Sequence, residues 1–169
     1  MRTVSSWFLV AALMVPIVAA AQRRVPGTTV QEPKVPTAIA LKAGAASYNF
    51  TGQASCEHAA RGSIYDTVAE RWSVRHNDNG RNVNLNLWRP TGGSGDMVTF
   101  SMSVGGKRYD VDTVKKPQPA KTSGSGTVRF APEGTGGTFT VDLTTNSGDK
   151  ITGMMKCQSF TAPEAVAGD

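Results

Sequence analysis

The chain has 169 residues and a formal charge of +5, with 39% hydrophobic, 18% charged and 7% aromatic residues. This composition is typical of one folded domain and excludes a chain that is disordered throughout. No apolar run reaches the roughly 18 residues of a membrane-spanning helix, so we expect no membrane span. The mild basic excess forms no dense stripe with stacking aromatics, so no nucleic-acid binding is predicted.

The first 21 residues have the three parts of an export signal. Arg2 gives a positive start, Trp7–Val18 is apolar, and the small residues of Ala19–Ala21 suit cleavage before Gln22. We expect residues 1–21 to be cleaved and the mature protein to be periplasmic or extracellular. No cysteine follows the apolar segment closely, so no lipid anchor is predicted.

Proline punctuates the segment that follows the predicted signal. Residues 22–36 contain prolines at positions 26, 33 and 36 and little periodic apolar content, which predicts an extended tether. We expect a single β domain over residues 37–161. Residues 162–169 are small and polar and are expected to form a flexible tail.

Alternating apolar residues predict strands at the start of this domain. Ile39–Leu41 is a possible short strand, and a second strand has an inward-facing row formed by Tyr48, Phe50, Ala54 and Cys56. Ser63–Glu70 gives a mixed signal, because Ser63 and Asp66 imitate the capping box of a helix just before another alternating segment. We expect a single helical turn there.

Three hairpins follow, and their turn residues fix their registers. The first turns at Asn79-Gly80, which favours a two-residue type I′ turn, and the second turns at Gly105-Gly106. In the first, the apolar residues then face one another in the pairs Trp72 and Leu87, Val74 and Leu85, His76 and Val83. In the second, the corresponding pairs are Phe100 and Val111, Met102 and Tyr109.

The third hairpin needs a longer turn. A three-residue loop over 146–148, with Gly148 in the left-handed region, aligns the apolar faces, whereas a two-residue loop would mismatch them. The facing pairs are then Phe139 and Met155, Val141 and Gly153, Leu143 and Ile151. A further short strand is expected at Thr127–Phe130.

Cys56 and Cys157 are the two cysteines of the chain, and both fall on the inner phase of predicted strands. Export to an oxidising compartment favours a disulfide between them. A redox or metal-binding pair is the alternative, although the chain has no Cys-x-x-Cys motif. The predicted fold is therefore all-β: an antiparallel, hairpin-rich sandwich or small barrel of about eight strands, closed by one disulfide.

Residues that usually carry catalysis are scarce. The two histidines, His58 and His76, lack companion ligands at metal-binding spacing, and no serine lies in a nucleophile elbow. Asp110 and Asp112 share one strand face, which suits an inverting glycosidase, a calcium ion or, most often, a solvated surface. The sequence therefore predicts no catalytic residue, no metal site and no cofactor, with a hydrolase using these two acids as the least favoured alternative.

The outer side of the first hairpin is the candidate ligand face. It is rich in hydrogen-bond donors and carries one exposed tryptophan, a combination that suits a sugar or a peptide. Its residues are Arg71, Arg75, Asn82, Asn84, Asn86 and Trp88, with Ser73 between the arginines. The competing interpretation is that these polar residues only keep the sheet hydrated.

From these observations we expect an exported, non-catalytic β domain that binds an unknown ligand or protein partner through the polar face or a loop. A passive structural protein of the cell envelope is the alternative, favoured by the proline-rich tether.

Overall fold

The computed structural model describes residues 32–115 and 123–163, and these residues form nine strands and no helix. Accordingly, this part of the chain holds no helix able to cross a membrane. The strands are β1 (Val35–Ala43), β2 (Ala46–Ile64), β3 (Thr67–Asp78), β4 (Arg81–Pro90), β5 (Met97–Val104), β6 (Lys107–Asp112), β7 (Ser125–Glu133), β8 (Gly136–Thr144) and β9 (Lys150–Cys157).

The strands form one antiparallel sheet in the order β6-β5-β4-β3-β2-β1-β9-β8-β7. The two edges of the sheet approach each other where Asp112, the last residue of β6, and Ser123, two residues before β7, exchange backbone hydrogen bonds of 2.6 and 2.7 Å. The sheet is therefore a nearly closed barrel, which decides between the sandwich and the barrel that the sequence left open. It has nine strands, one more than expected.

The long second strand joins the two halves of the barrel. Over Ala46–Ala54 it pairs with β1, and over Ser55–Ile64 it pairs with β3, with an irregularity between Ala59 and Gly62. Beyond Ala54 its other edge is covered by the segment after β9, where Thr161 exchanges backbone hydrogen bonds with β2. One strand can thus serve both half-sheets because it changes partners along its length.

The registers predicted for the first two hairpins are confirmed. Trp72 lies opposite Leu87 in the β3–β4 hairpin, and Phe100 lies opposite Val111 in the β5–β6 hairpin. Both turns have two residues with φ between 43° and 80°, the left-handed values that a type I′ turn requires. Glycine and asparagine tolerate these values, so the turn residues and the apolar alternation agree.

The third hairpin is also confirmed, including its longer turn. Phe139 lies opposite Met155, and Gly148 has a φ of 84°. The amide of Gly148 donates to the carbonyl oxygen of Thr145 at 3.0 Å, and the amide of Thr145 donates to that of Asp149 at 3.0 Å. These two bonds enclose a three-residue loop with a left-handed glycine, as the apolar pattern predicted.

The helical turn expected over Ser63–Glu70 is wrong. The chain instead makes a tight hairpin between β2 and β3, in which Tyr65 and Asp66 have φ values of 45° and 64°. Serine and aspartate favour turns as well as helix caps, and the pairing of β2 with β3 decided between the two. The first strand, β1, begins at Val35, at the end of the segment predicted to be a tether.

The inner row of β2 joins a core with residues from all nine strands. Tyr48, Ala54 and Cys56 are buried, and Phe50 is half-buried against them. Cys56 and Cys157 form the predicted disulfide, with an S–S distance of 1.98 Å and Cα atoms 6.4 Å apart. The predicted export signal, most of the tether and residues 164–169 lie outside the described residues.

Candidate functional site

The six residues of the predicted ligand face lie on the outer side of β3 and β4. Their register places Arg71 opposite Trp88 and Arg75 opposite Asn84. The neighbouring strands widen this polar face, because Ser55 of β2 pairs with Arg75. On the other side, β5 pairs with β4 and adds further hydroxyl groups.

Glu57 anchors the two arginines of this face. It is 8% exposed, and its carboxylate accepts hydrogen bonds from Arg75 Nη2 at 2.8 Å and from Arg71 Nη2 at 3.3 Å. Ser73 Oγ donates a third hydrogen bond at 3.3 Å. A buried carboxylate needs such partners, so the cluster holds both guanidinium groups in place on the sheet.

A cleft of about 420 Å³ opens beside Arg75, where β2 changes partners. We call it the Arg75 cleft, and its hydrogen-bonding residues include Lys34, Ser55, Arg75, Asn82, Asn84 and Ser101. Three of the six predicted face residues therefore line one concavity. Arg71, Asn86 and Trp88 share the face but do not line the cleft.

Two buried polar atoms of residues that line the Arg75 cleft lack a hydrogen-bond partner among the described residues. They are Ser55 Oγ and Arg75 Nε, and Ser55 is only 4% exposed. More than nine in ten buried polar groups in folded proteins have a partner, so two exceptions on directly paired residues are unusual. Neither atom is accessible to solvent, so both belong to the wall of the cleft and not to its open surface.

Further contacts hold the Arg75 and Asn84 side chains in place in the cleft. Arg75 Nη2 lies 2.9 Å from Glu32 Oε1 and so bridges Glu32 and Glu57. The amide oxygen of Asn84 accepts a hydrogen bond from Asn86 Nδ2 at 3.3 Å, which fixes the direction of the Asn84 amide. The cleft therefore presents a held guanidinium and a held amide, with Lys34 as a second cation at its rim.

The two histidines lie in different places. His76 borders the Arg75 cleft, where its Nδ1 is hydrogen-bonded to the Tyr48 hydroxyl and its ring stacks on Phe50 with centroids 3.6 Å apart. His58 lies on β2, away from the cleft, and its Nε2 atom is 2.8 Å from Glu70 Oε1. Each imidazole thus has fixed neighbours within the fold.

Burial lowers the pKa of His76 below its ordinary value. Of the charged groups around it, Asp78 opposes this effect and Arg81 and Lys34 add to it. The unfolded chain therefore binds a proton at position 76 more readily than the folded chain does. Stability contributed by neutral His76 is fully present above the unfolded-state pKa of about 6.5 and is lost as the pH falls from there through the lower folded-state pKa.

We expect the free energy of unfolding to decrease as the pH is lowered from neutral towards the folded-state pKa of His76. Urea unfolding across this pH range measures the effect. The variant His76→Gln, which keeps a hydrogen-bonding side chain but does not titrate, should show a shallower pH dependence. Identical slopes for the two proteins would contradict this assignment.

The two acids considered for hydrolysis already have partners. Arg108 Nε lies 2.9 and 2.8 Å from the two carboxylate oxygens of Asp110, and Asp112 Oδ1 accepts the amide hydrogen of Val114 at 3.0 Å. This arrangement is typical of a hydrated strand face. Within residues 32–115 and 123–163, no group of three or more His, Cys, Asp and Glu side chains is placed to hold a metal ion.

Sequence reasoning missed the contributions of β2 and β5 to the cleft. Ser55 lies on the outer phase of β2, between inward-facing Ala54 and Cys56, and Ser101 lies opposite Asn84. The alternation of apolar and polar residues along each strand is enough to place Ser55 and Ser101 on the outer side of the sheet. Their meeting at Arg75 depends on the change of partners in β2, for which no local sequence signal was found.

Comparison with known proteins does not relate the chain to any of them. No model of a protein family matches the chain, and neither a curated protein nor a solved structure matches it.

Proposed function

We propose that the protein is an exported, non-catalytic β domain that binds a small hydroxylated carboxylate, such as a sugar acid, in the Arg75 cleft. The observation that carries this proposal is the Arg75 side chain, which is 42% exposed, lines the cleft and is held by Glu57 at 2.8 Å. The predicted signal segment supports export, and so does the disulfide, since oxidising compartments let disulfides persist.

The chemistry of the cleft matches this ligand class. The Arg75 guanidinium and the Lys34 ammonium group are donors suited to a carboxylate. The hydroxyl groups of Ser55 and Ser101 and the amide of Asn82 can both donate and accept, as the hydroxyl groups of a sugar require. Because Glu32 and Glu57 already neutralise part of the arginine charge, a single negative charge is favoured over a multiply charged ligand.

The first test compares D-galacturonate with D-galactose, which has the same ring but no carboxylate. We expect galacturonate to bind more tightly in a calorimetric or NMR titration. Arg75→Gln should weaken galacturonate binding about tenfold or more, because a hydrogen bond to a charged group contributes roughly 1.5–3 kcal/mol.

Arg71→Gln is the matched control for this variant. Both arginines donate to Glu57, so both substitutions disturb the same buried carboxylate, but only Arg75 lines the cleft. We expect Arg71→Gln to change affinity by less than about twofold, since surface pairs outside a site contribute little. Equal effects of the two variants, or no preference for the acid over galactose, would reject the proposal.

A further inference from the structure

A second concavity lies at the other end of β3 from the Arg75 cleft. It has a volume of about 310 Å³ and is formed by inward-facing side chains at an open end of the barrel. We call it the barrel mouth, and its lining includes His58, Glu70, Trp72, Arg89, Phe130 and Phe160. Ligands often bind in the mouths of β-barrels, where apolar walls meet a few polar groups.

The walls of the barrel mouth are aromatic. The indole of Trp72 stacks on the His58 ring with centroids 5.1 Å apart and an angle of 10°, and it contacts Phe130 at 4.8 Å. Phe130 in turn meets Phe160 edge to face at 5.7 Å. Trp72 is only 4% exposed, while Phe130 and Phe160 are half-buried and line the opening. Offset and edge-to-face contacts of this kind are also how a bound aromatic ring is held.

The polar groups of the barrel mouth are few. His58 Nε2 and Glu70 Oε1 lie 2.8 Å apart, and each of these side chains is 33% exposed. The Arg89 guanidinium lies 5.1 Å from the centroid of the Trp72 ring and is paired with Asp96 through contacts of 3.2 and 3.1 Å. Arginine has only donors, and Arg89 already gives two of them to Asp96, so the Glu70 carboxylate is the charged group of the barrel mouth that can accept a hydrogen bond from a ligand.

From this arrangement we infer that the barrel mouth is a second binding site, which takes a single flat aromatic ring bearing a hydroxyl group. The ring packs against Phe130 and Phe160, and its hydroxyl group donates to Glu70. The barrel mouth shares no lining residue with the Arg75 cleft, so binding at the barrel mouth can be tested independently of the proposed function.

Phenol and cyclohexanol are the probes for this inference, because they share a hydroxyl group and differ in the flat π-system. Each is titrated into the full chain, and binding is followed by the NMR resonances of the Trp72 indole and the Phe130 ring. We expect saturable shifts with phenol and binding of cyclohexanol at least about fivefold weaker. Shifts that do not saturate, or equal binding of the two alcohols, would overturn the inference.

The variant Glu70→Gln tests the polar contact. It keeps the shape of the side chain but removes the charged acceptor, and we expect phenol to bind about fivefold more weakly. Glu133→Gln is the control, since Glu133 is a surface carboxylate that pairs with Lys156 outside the barrel mouth. Arg75→Gln should leave phenol binding unchanged. Undiminished phenol binding by Glu70→Gln would remove Glu70 from the site, and with it the inference.

Discussion

Replacing both Cys56 and Cys157 with alanine is expected to lower the free energy of unfolding by about 4 kcal/mol. The two cysteines are 101 positions apart, so their bond closes a large loop and restricts the unfolded chain strongly. Both are almost completely buried, at 0% and 1% exposure, and alanine adds no polar atom to the core. The expected loss therefore comes mainly from the cross-link.

Urea unfolding of the wild-type protein and the double variant measures this difference. The wild-type protein unfolded in the presence of a thiol reductant should lose stability by a similar amount. If the free energy of unfolding of the double variant were less than about 1 kcal/mol below that of the oxidised protein, the disulfide would contribute little. That result would contradict the loop-closure explanation.

The second large effect is expected from Gly153→Ala, with a loss of roughly 3 kcal/mol or more. Gly153 lies in β9, between β1 and β8, and has a φ of 144°. A Cβ atom there would lie 2.0 Å from the carbonyl oxygen of Ala40 and 2.9 Å from the Cα atom of Leu41. Since these atoms belong to the neighbouring backbone, a strand would have to shift.

Gly92→Ala is the control for this substitution. A Cβ atom at Gly92 would have no heavy atom within 4 Å, and the residue has no left-handed φ. We expect its free energy of unfolding to stay within about 0.5 kcal/mol of the wild-type value, as for most surface changes. Similar stabilities for the Gly153 and Gly92 variants would contradict the close approach of β1 and β9.

The hairpins were predictable because their determinants are local. Asn79-Gly80 and Gly105-Gly106 impose the turn, and one alternation on each side of the turn sets the register. The prediction for Ser63–Glu70 was wrong because its residues suit either a helix cap or a turn, so the local sequence does not decide between them. Pairing between distant parts of β2 and β3 then decided the outcome.

In the candidate sites too, features set by local sequence were predicted and features set by distant pairing were missed. The outer phase of Arg75 and Asn84 follows from the hairpin register and was predicted. Glu57 was not predicted as a partner of the two arginines, because it reaches them across a strand pair that the sequence did not reveal. The barrel mouth was missed as well, since His58 and Phe130 come together only when the sheet curls.

The place of β9 in the sheet constrains when the barrel can close. Thr37 and Cys157 are neighbours in the ladder between β1 and β9, although 120 positions separate them, 157 minus 37. Among the described strands, all other ladders join elements consecutive in the chain. Until β9 is available, β1 keeps one edge without its partner, so the barrel closes only after the chain as far as Cys157 can take part in folding.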